Sequence, residues 1–534
     1  MTPRSYNLAD LFELVADTVP KRVAIVHGER RVTYEVCNRR ASRLAAYLHS
    51  TGLEPGDRIA ILARNRVEWI ESFLAAFKAR LVPVNLNYRY VAGELAEILA
   101  DADVRALVVE DEFVHNVVPV VDDVETLETL IVIGDAGARK FARSVIGYEA
   151  ALEVGATREP ADGPRSSDDL YVVYTGGTTG RPKGVLWRSE DLFFSALLGG
   201  GAQTGVPVSS PDELRTRVLS ESQAPVNVIP TPLMHGGAQW TALIVLYAGG
   251  RVVMPTSHSL DASELLGLVE VERATGLVVA GDAIGAPLAD ALEKATQAFD
   301  LSSLSSVSSG AAPLAPAIRQ RLTRLMPKIV IRDGYGSSES GSVMSAIGGT
   351  DGGTRFELGP EVAVLDDAMA PISPGSDAVG WLARTGHLPL GYHKDPDLTA
   401  RTFRTDAIGR RWAITGDRAR VLSDSTVMLL GRESSTINTG GEKVFAEEVE
   451  AVLRSHPGIG DVAVVGLPDQ RFGQRIVALV QPRESQAPTL DMLQEHCRQE
   501  LAGYKVPREL QIVDIVPRTN VGKIDRVGAR ALVS

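Results

Sequence analysis

Short apolar runs recur along this chain with amphipathic stretches between them, and that rhythm constrains the fold more than any other feature of the sequence. Residues 23–26, 58–62, 82–84, 106–109 and 130–133 are predicted strands. Leu8, Leu11, Phe12 and Val15 ahead of Pro20, and Leu44, Ala45 and Leu48 ahead of Gly52, fall on single faces of helices. Strands separated by helices pair in parallel, are covered on both faces, and bind ligands beyond their ends. The alternation resumes over 226–229, 251–254, 277–279 and 328–331, which predicts a second layered half. Between the halves, the glycines after Leu198 and the polar stretch through Glu221 read as a long irregular excursion, and no fixed-period repeat is present. A fresh pattern begins near Gly431, with a helix over 444–454 and strands over 462–465 and 476–480. At 534 residues the chain exceeds what one core supports. The expectation is an α/β fold: a large N-terminal compound domain of layered, parallel-rich sheets over 1–431 and a small C-terminal α+β domain over 432–534.

Hydrophobic residues at 44% and charged residues at 23% fit a globular chain. The net charge of -12 argues against wrapping nucleic acid or an anionic bilayer, whereas an anionic small ligand needs only a local positive site. Cys37 and Cys497 form neither metal-ligand spacing nor a disulfide framework. The first residues lack the apolar core of a secretory signal, and no run stays apolar for the roughly 20 residues of a bilayer span. A reducing cytoplasm is the expected compartment. Peripheral membrane contact and assembly into a homo-oligomer stay open.

The most informative segment is the strand-like run ending at Tyr174 and the loop that follows it: Thr175, Gly176, Gly177, Thr178, Thr179, Gly180, then Lys183 and Gly184. Its glycines let backbone N–H groups approach an anion, its hydroxyls donate hydrogen bonds, and Lys183 adds a mobile positive charge. This suits polyphosphate, although no Gly-Lys-Ser/Thr closes the loop as in a Walker motif. Composition alone equally describes a solvated turn. The order of residues is more specific, and further motifs follow: Ser309 to Pro313, Asp333 to Glu339, Ile414 to Asp417, Gly431-Arg432, Asn438 to Lys443, and Thr519 to Lys523. In sequence and order the series resembles the adenylate-forming superfamily, and within it the acyl-CoA synthetases that activate fatty and steroid acids; the likeness covers nearly the whole chain.

That resemblance implies ATP and coenzyme A as cosubstrates, Mg²⁺ as metal ion, and a C-terminal domain that moves between two half-reactions. For ATP, Tyr335 offers an aromatic face to adenine, Asp333 an acceptor for its amine, and Gly310, Ala311 and Ala312 a floor of small residues. Gly334, Gly336 and Ser337 complete this segment; Ser338 is expected at the α-phosphate and Glu339 at Mg²⁺, which takes one carboxylate plus phosphates and waters. Asp417 can accept both ribose hydroxyls and Arg432 can add a forked donor. Lys523 is the expected catalytic cation of adenylation, stabilising charge that builds as the carboxylate attacks phosphorus. Gly440, Gly441, Glu442 and Lys443 form the expected coenzyme A face, the glycines leaving a path for the thiol. His235, with Gly236 and Gly237, is expected beside the acyl group, shaping the pocket and thiol access; no partner carboxylate for it is identifiable in the sequence.

An amino- or aryl-acid adenylating enzyme with a carrier-protein acceptor would share these motifs. Amino-acid-activating relatives usually place an aspartate near His235, and none stands there; no carrier-like extension is recognised after Lys523. A luciferase reading has no additional feature behind it. A nicotinamide dehydrogenase would need the strand-to-helix GxGxxG placement that Gly199 to Gly205 lacks. A non-catalytic nucleotide-binding protein would not be expected to keep Lys523, Glu339 and the Gly440 loop together. The acid itself is constrained only to a hydrophobic one of medium or larger size, from fatty to sterol side-chain acids.

Overall fold

The computed structural model describes residues 6–135, 144–158, 164–176, 182–220, 224–296, 298–310, 314, 316–347, 355–376, 378–432, 436–483, 487–517 and 524–533. The predicted alternation produces two parallel-rich sheets. In the first, Val82–Asn85, Arg58–Leu62, Val104–Glu110, Thr129–Ile133 and Ser144–Gly147 lie side by side in that order, all parallel. The second has eight strands. It runs from Gly341–Ile347 through Val330–Ser337, Ser306–Ser309, Gly276–Val279, Val226–Val228, Arg251–Met254 and Val23–His27 to Arg30–Thr33. Its inner pairs are parallel and the pair at each edge is antiparallel.

Both sheets are covered on two faces, as their nearly continuous apolar strands require. Alternate residues of Arg58–Leu62 divide accordingly: Ile59 and Ile61 enter one core, Ala60 and Leu62 another. The first core also takes Ile25, Val252 and Met254 from the eight-stranded sheet, so a layer of helices is clamped between the two sheets. That layer includes Leu8–Thr18, Tyr34–Ser50, Val67–Lys78 and Gly236–Tyr247. The register begins cleanly because Asn7 caps the first helix, its Oδ1 accepting from Ala9 N at 2.9 Å.

Several boundaries differ from the sequence expectation, for local reasons. The strand predicted over 328–331 is Val330–Ser337, prolonged through the 333–337 motif by antiparallel pairing with Gly341–Ile347. The excursion after Leu198 holds a short 3₁₀ turn, Leu198–Gly200, and a helix, Pro211–Ser220, whose Leu214 and Val218 reach the first core. The helix predicted over 444–454 is Ala446–Ser455, because Glu442–Phe445 is already committed as a strand to a hairpin with Thr436–Thr439. A six-stranded antiparallel sheet over 355–432, which helix-strand alternation does not signal, completes the N-terminal part.

The C-terminal sheet has its own cores. Ile459–Asp469 and Gly473–Pro482 form a long hairpin joined by Thr436–Thr439, Glu442–Phe445 and Glu509–Ile512. Val464 and Ile476 pack with helices Ala446–Ser455 and Leu490–Glu500 on one face; Val465 and Val477 pack with Val516 and Ala529 on the other. Cys37 and Cys497 are both buried, in different cores, which precludes a disulfide between them. Among the described residues no helix is long and apolar enough to cross a membrane.

Candidate active site

A cleft of about 2100 Å³ opens at the carboxyl ends of the parallel strands of the eight-stranded sheet. Pro230, Pro255, Ala280 and Gly310, each just past the end of a different strand, line it. This is the position that layered α/β topology leaves free for a ligand.

The strand Val330–Ser337 brings Gly334, Tyr335, Gly336 and Ser337 to the cleft, and the turn after it adds Ser338 and Glu339. A bulge falls between Tyr335 and Gly336. A Cβ on Gly336 would collide with the Gly341 carbonyl, so the tight return of the chain requires glycine there. The Tyr335 hydroxyl donates to Asp417 Oδ2 at 2.6 Å, and Thr415 Oγ1 donates to the same oxygen at 2.9 Å. Asp417 stands directly across from Arg432 in the antiparallel register. Sequence separation hides that pairing, which joins the two expected ribose contacts. The Ser338 carbonyl accepts from Trp187 Nε1 at 2.9 Å, and Glu339 Oε1 accepts from the Tyr392 hydroxyl at 2.9 Å.

Asp333 departs from its expected setting. It is buried, is paired with Arg319, and does not line the cleft. Burial pushes its carboxyl above the ordinary range against the attraction of Arg319. Through Oδ2 the carboxylate ties the helix Pro316–Leu325 to the strand, while its Oδ1 is buried without a hydrogen-bond partner among the described residues.

On the opposite wall, Thr175 and Lys183 face each other across the antiparallel strands Leu170–Gly176 and Pro182–Arg188. Gly176 pairs with Pro182 at the end of this ladder, while Gly177, Thr178, Thr179 and Gly180 lie outside the described residues, as do Ala311, Ala312 and Lys523. Lys183 Nζ bonds Asp395 Oδ2 at 2.7 Å, and that hydrogen bond is the main reason the Asp395 carboxyl sits below its usual range. Asp395 is a site residue that the sequence did not reveal, because it lies in the separate helix-capping segment before Pro396–Thr402. Asn85 is another. Its side chain is buried and bonds Tyr174 O at 3.0 Å and Met234 O at 2.6 Å, tying the phosphate-side strand to the segment that carries His235.

The third wall belongs to the C-terminal sheet. Gly440 and Gly441, with φ of 61° and 83°, form the two-residue turn of the Thr436–Thr439 and Glu442–Phe445 hairpin, the conformation a tight primed turn demands. The turn enters the cleft with Glu442 and Lys443, its tip near Ala280. Glu442 is buried; it pairs with Arg89 and takes His235 Nε2 at 3.3 Å on the same oxygen. Burial alone would raise the Glu442 carboxyl, but His235, Arg89 and Lys505 together hold it below the usual range. The carboxylate partner of His235 that the sequence did not disclose therefore exists; it stands 207 residues away and meets the histidine only across the cleft. Gly236 and Gly237 follow at the start of helix Gly236–Tyr247. Thr241 and Ile244 of that helix line the cleft too, as do Leu198, Thr204 and Pro207 of the excursion.

One cleft therefore gathers a strand pair with a hydroxyl and a lysine, a strand that carries an aromatic ring and leads into a turn with a carboxylate, and a glycine turn from a separate sheet. A family model for AMP-binding enzymes matches residues 12–388, and the model for their C-terminal domain matches residues 448–523. The chain belongs to the AMP-binding enzyme family. It is 42% identical to the 3-oxocholest-4-en-26-oate–CoA ligase of Rhodococcus rhodochrous, with 97% of this chain and 94% of that one covered. It is 40% identical to the medium-chain acyl-CoA ligase Mig of Mycobacterium avium, with 99% and 98% covered. Among solved structures, it matches the amide bond synthetase McbA from Marinactinospora thermotolerans with a TM-score of 0.79 and 25% identity over 98% of this chain and 99% of that one. This AMP-binding enzyme is an acyl-CoA synthetase, an AMP-forming acid–thiol ligase, and its motif order, read as a resemblance, agrees with that membership along the whole chain.

Proposed function

We propose that this enzyme activates a hydrophobic carboxylic acid of medium or larger size as its acyl-adenylate and then passes the acyl group to coenzyme A, both steps in the cleft described above. The observation that carries the reading is the meeting of the 334–339 strand end, the Thr175–Lys183 pair and the Gly440–Gly441 turn around one space. In the first step the acid's carboxylate attacks the α-phosphorus of ATP and pyrophosphate leaves. Tyr335 supports adenine, Asp417 and Arg432 hold the ribose, and Ser338 meets the α-phosphate. Lys183, released from Asp395, takes the outer phosphates together with the glycines and threonines before it. Lys523 stabilises charge on the reacting oxygens.

Glu339 is the residue that fits Mg²⁺. Its carboxylate reaches the cleft, and among the described residues no cluster of three acidic, histidine or cysteine side chains forms a cage of its own, the pattern of an ion that is completed by phosphates and water. Bound there, the ion would neutralise phosphate charge. In the second step the thiolate of coenzyme A attacks the acyl carbon and AMP leaves. The Gly440–Gly441 turn leaves the narrow path for that thiol, and His235, oriented by Glu442, borders it. Outside the turn, the Phe472 ring lies beside Gly440 with Arg508 4.0 Å and Arg471 5.0 Å from its centroid, a setting suited to the nucleotide end of coenzyme A. The boundary between the two moving parts is read near Gly431–Arg432.

For the acid, the cleft lining of Leu198, Pro207, Trp240 and Ile244 favours an apolar body, and relatives named for medium-chain, long-chain and 3-oxocholest-4-en-26-oate substrates point the same way. A panel from acetate through long-chain fatty acids to sterol side-chain acids, scored by coenzyme A consumption, is expected to give its highest kcat/KM among the medium, long or sterol acids. A strong preference for acetate would contradict this.

A further inference from the structure

We propose that Lys505 is a positioning residue for the thioester step: its ammonium latches the C-terminal sheet to helix Ala92–Asp101 through Glu94, and so keeps the Gly440–Gly441 turn in the cleft. The inference rests on reading that turn as the face that serves coenzyme A. Lys505 closes the short 3₁₀ turn Gly503–Lys505 and is only 4% exposed. Its Nζ bonds Glu94 Oε1 at 2.6 Å and Glu448 Oε1 at 2.7 Å, with the Tyr90 and Tyr504 rings 5.2 and 5.8 Å away. Burial would lower the lysine's pKa, yet the two carboxylates outweigh it and the pKa is raised, so the latch is charged.

The two carboxylates belong to different moving parts. Glu448 lies on helix Ala446–Ser455, directly after the hairpin strand that carries Glu442, whereas Glu94 lies on the first half of the molecule. When the C-terminal sheet swings away, Lys505 takes Glu448 with it, and of its two hydrogen bonds only the one to Glu94 opens. An ammonium stripped of all partners in a buried site would be costly, and Glu448 removes that cost. The latch can therefore open without leaving a bare charge, yet closes on a partner already oriented: Glu94 Oε2 accepts from Val91 N at 3.1 Å. Tyr504 reinforces the contact, its hydroxyl accepting from Asn87 Nδ2 at 3.4 Å.

Glu94→Gln tests this without touching the cleft, because the amide oxygen can still accept from Val91 N. Acyl transfer from supplied acyl-AMP to coenzyme A is expected to fall about tenfold or more, the scale set by losing one partner of a buried charge pair at an interface. Acid-dependent pyrophosphate–ATP exchange is expected to stay level or rise. Lys505→Met should show the same split, and Lys505→Arg should recover most of the transfer rate. Equal losses in both half-reactions, or transfer within twofold of the parent for Glu94→Gln, would overturn the latch. Failure of the underlying reading looks different: the parent enzyme itself would not transfer acyl groups from acyl-AMP to coenzyme A.

Discussion

Lys523→Ala is expected to slow adenylate formation by a factor on the order of 10²–10³, while coenzyme A still consumes supplied acyl-AMP at a rate close to the parent's. The asymmetry follows from where charge develops. As the acid's carboxylate attacks phosphorus, negative charge grows on the oxygens in line, and an ammonium held there lowers the barrier more than it lowers the ground state. Thioester formation starts from a mixed anhydride already made and needs the glycine turn in the cleft instead. Pyrophosphate release and thioester formation, measured separately, check this; equal losses in both with an unchanged melting temperature would contradict it.

Gly441→Leu is expected to produce the opposite split, transfer falling by about a hundredfold with adenylation largely retained. Two physical causes act together. At φ of 83° any β-carbon strains the backbone, and the turn would relax by opening the hairpin. A Cβ there would already stand 3.8 Å from Ala280 Cβ, ordinary contact for a methyl group, so the branched remainder of leucine would fill the proposed path of the thiol. A displacement of about 1 Å at a reacting centre can cost on the order of 10² in rate. On the proposed division of labour, adenylation does not use the turn. Exchange measured beside single-turnover transfer tests the split, and retained transfer at the parent's rate would remove the turn from the thiol path.

Much of this was legible before any coordinates, in a patterned way. The central parallel strands were readable because they are buried on both faces and mostly apolar; 58–62 and 251–254 coincide with Arg58–Leu62 and Arg251–Met254, whereas Ser144–Gly147 and Ser306–Ser309, serine-bearing and partly exposed, gave no such signal. The antiparallel sheet over 355–432 was not, since its strands are joined mostly by turns, with one short helix, Pro396–Thr402, and carry little helix-strand rhythm. Motif residues such as Tyr335, Glu339 and Gly441 reach the cleft from contiguous stretches of sequence, which is why sequence order exposes them. The residues that hold them do not announce themselves. Asp395 beside Lys183, Arg89 and Glu442 around His235, and Glu94 beside Lys505 are long-range charge pairs, created only when distant segments pack. The Arg319 pair that engages one oxygen of Asp333 is equally invisible in the motif.

The central claim is that one cleft performs two successive reactions through a bound acyl-adenylate. Rapid-quench sampling of enzyme, MgATP and an acid that the enzyme thioesterifies, with coenzyme A omitted, tests it most directly. The expected result is acyl-AMP and pyrophosphate approaching one equivalent per active site, followed by conversion of that acyl-AMP to acyl-CoA when coenzyme A is added. Thioester formation from acids that never yield acyl-AMP in its absence would contradict the account.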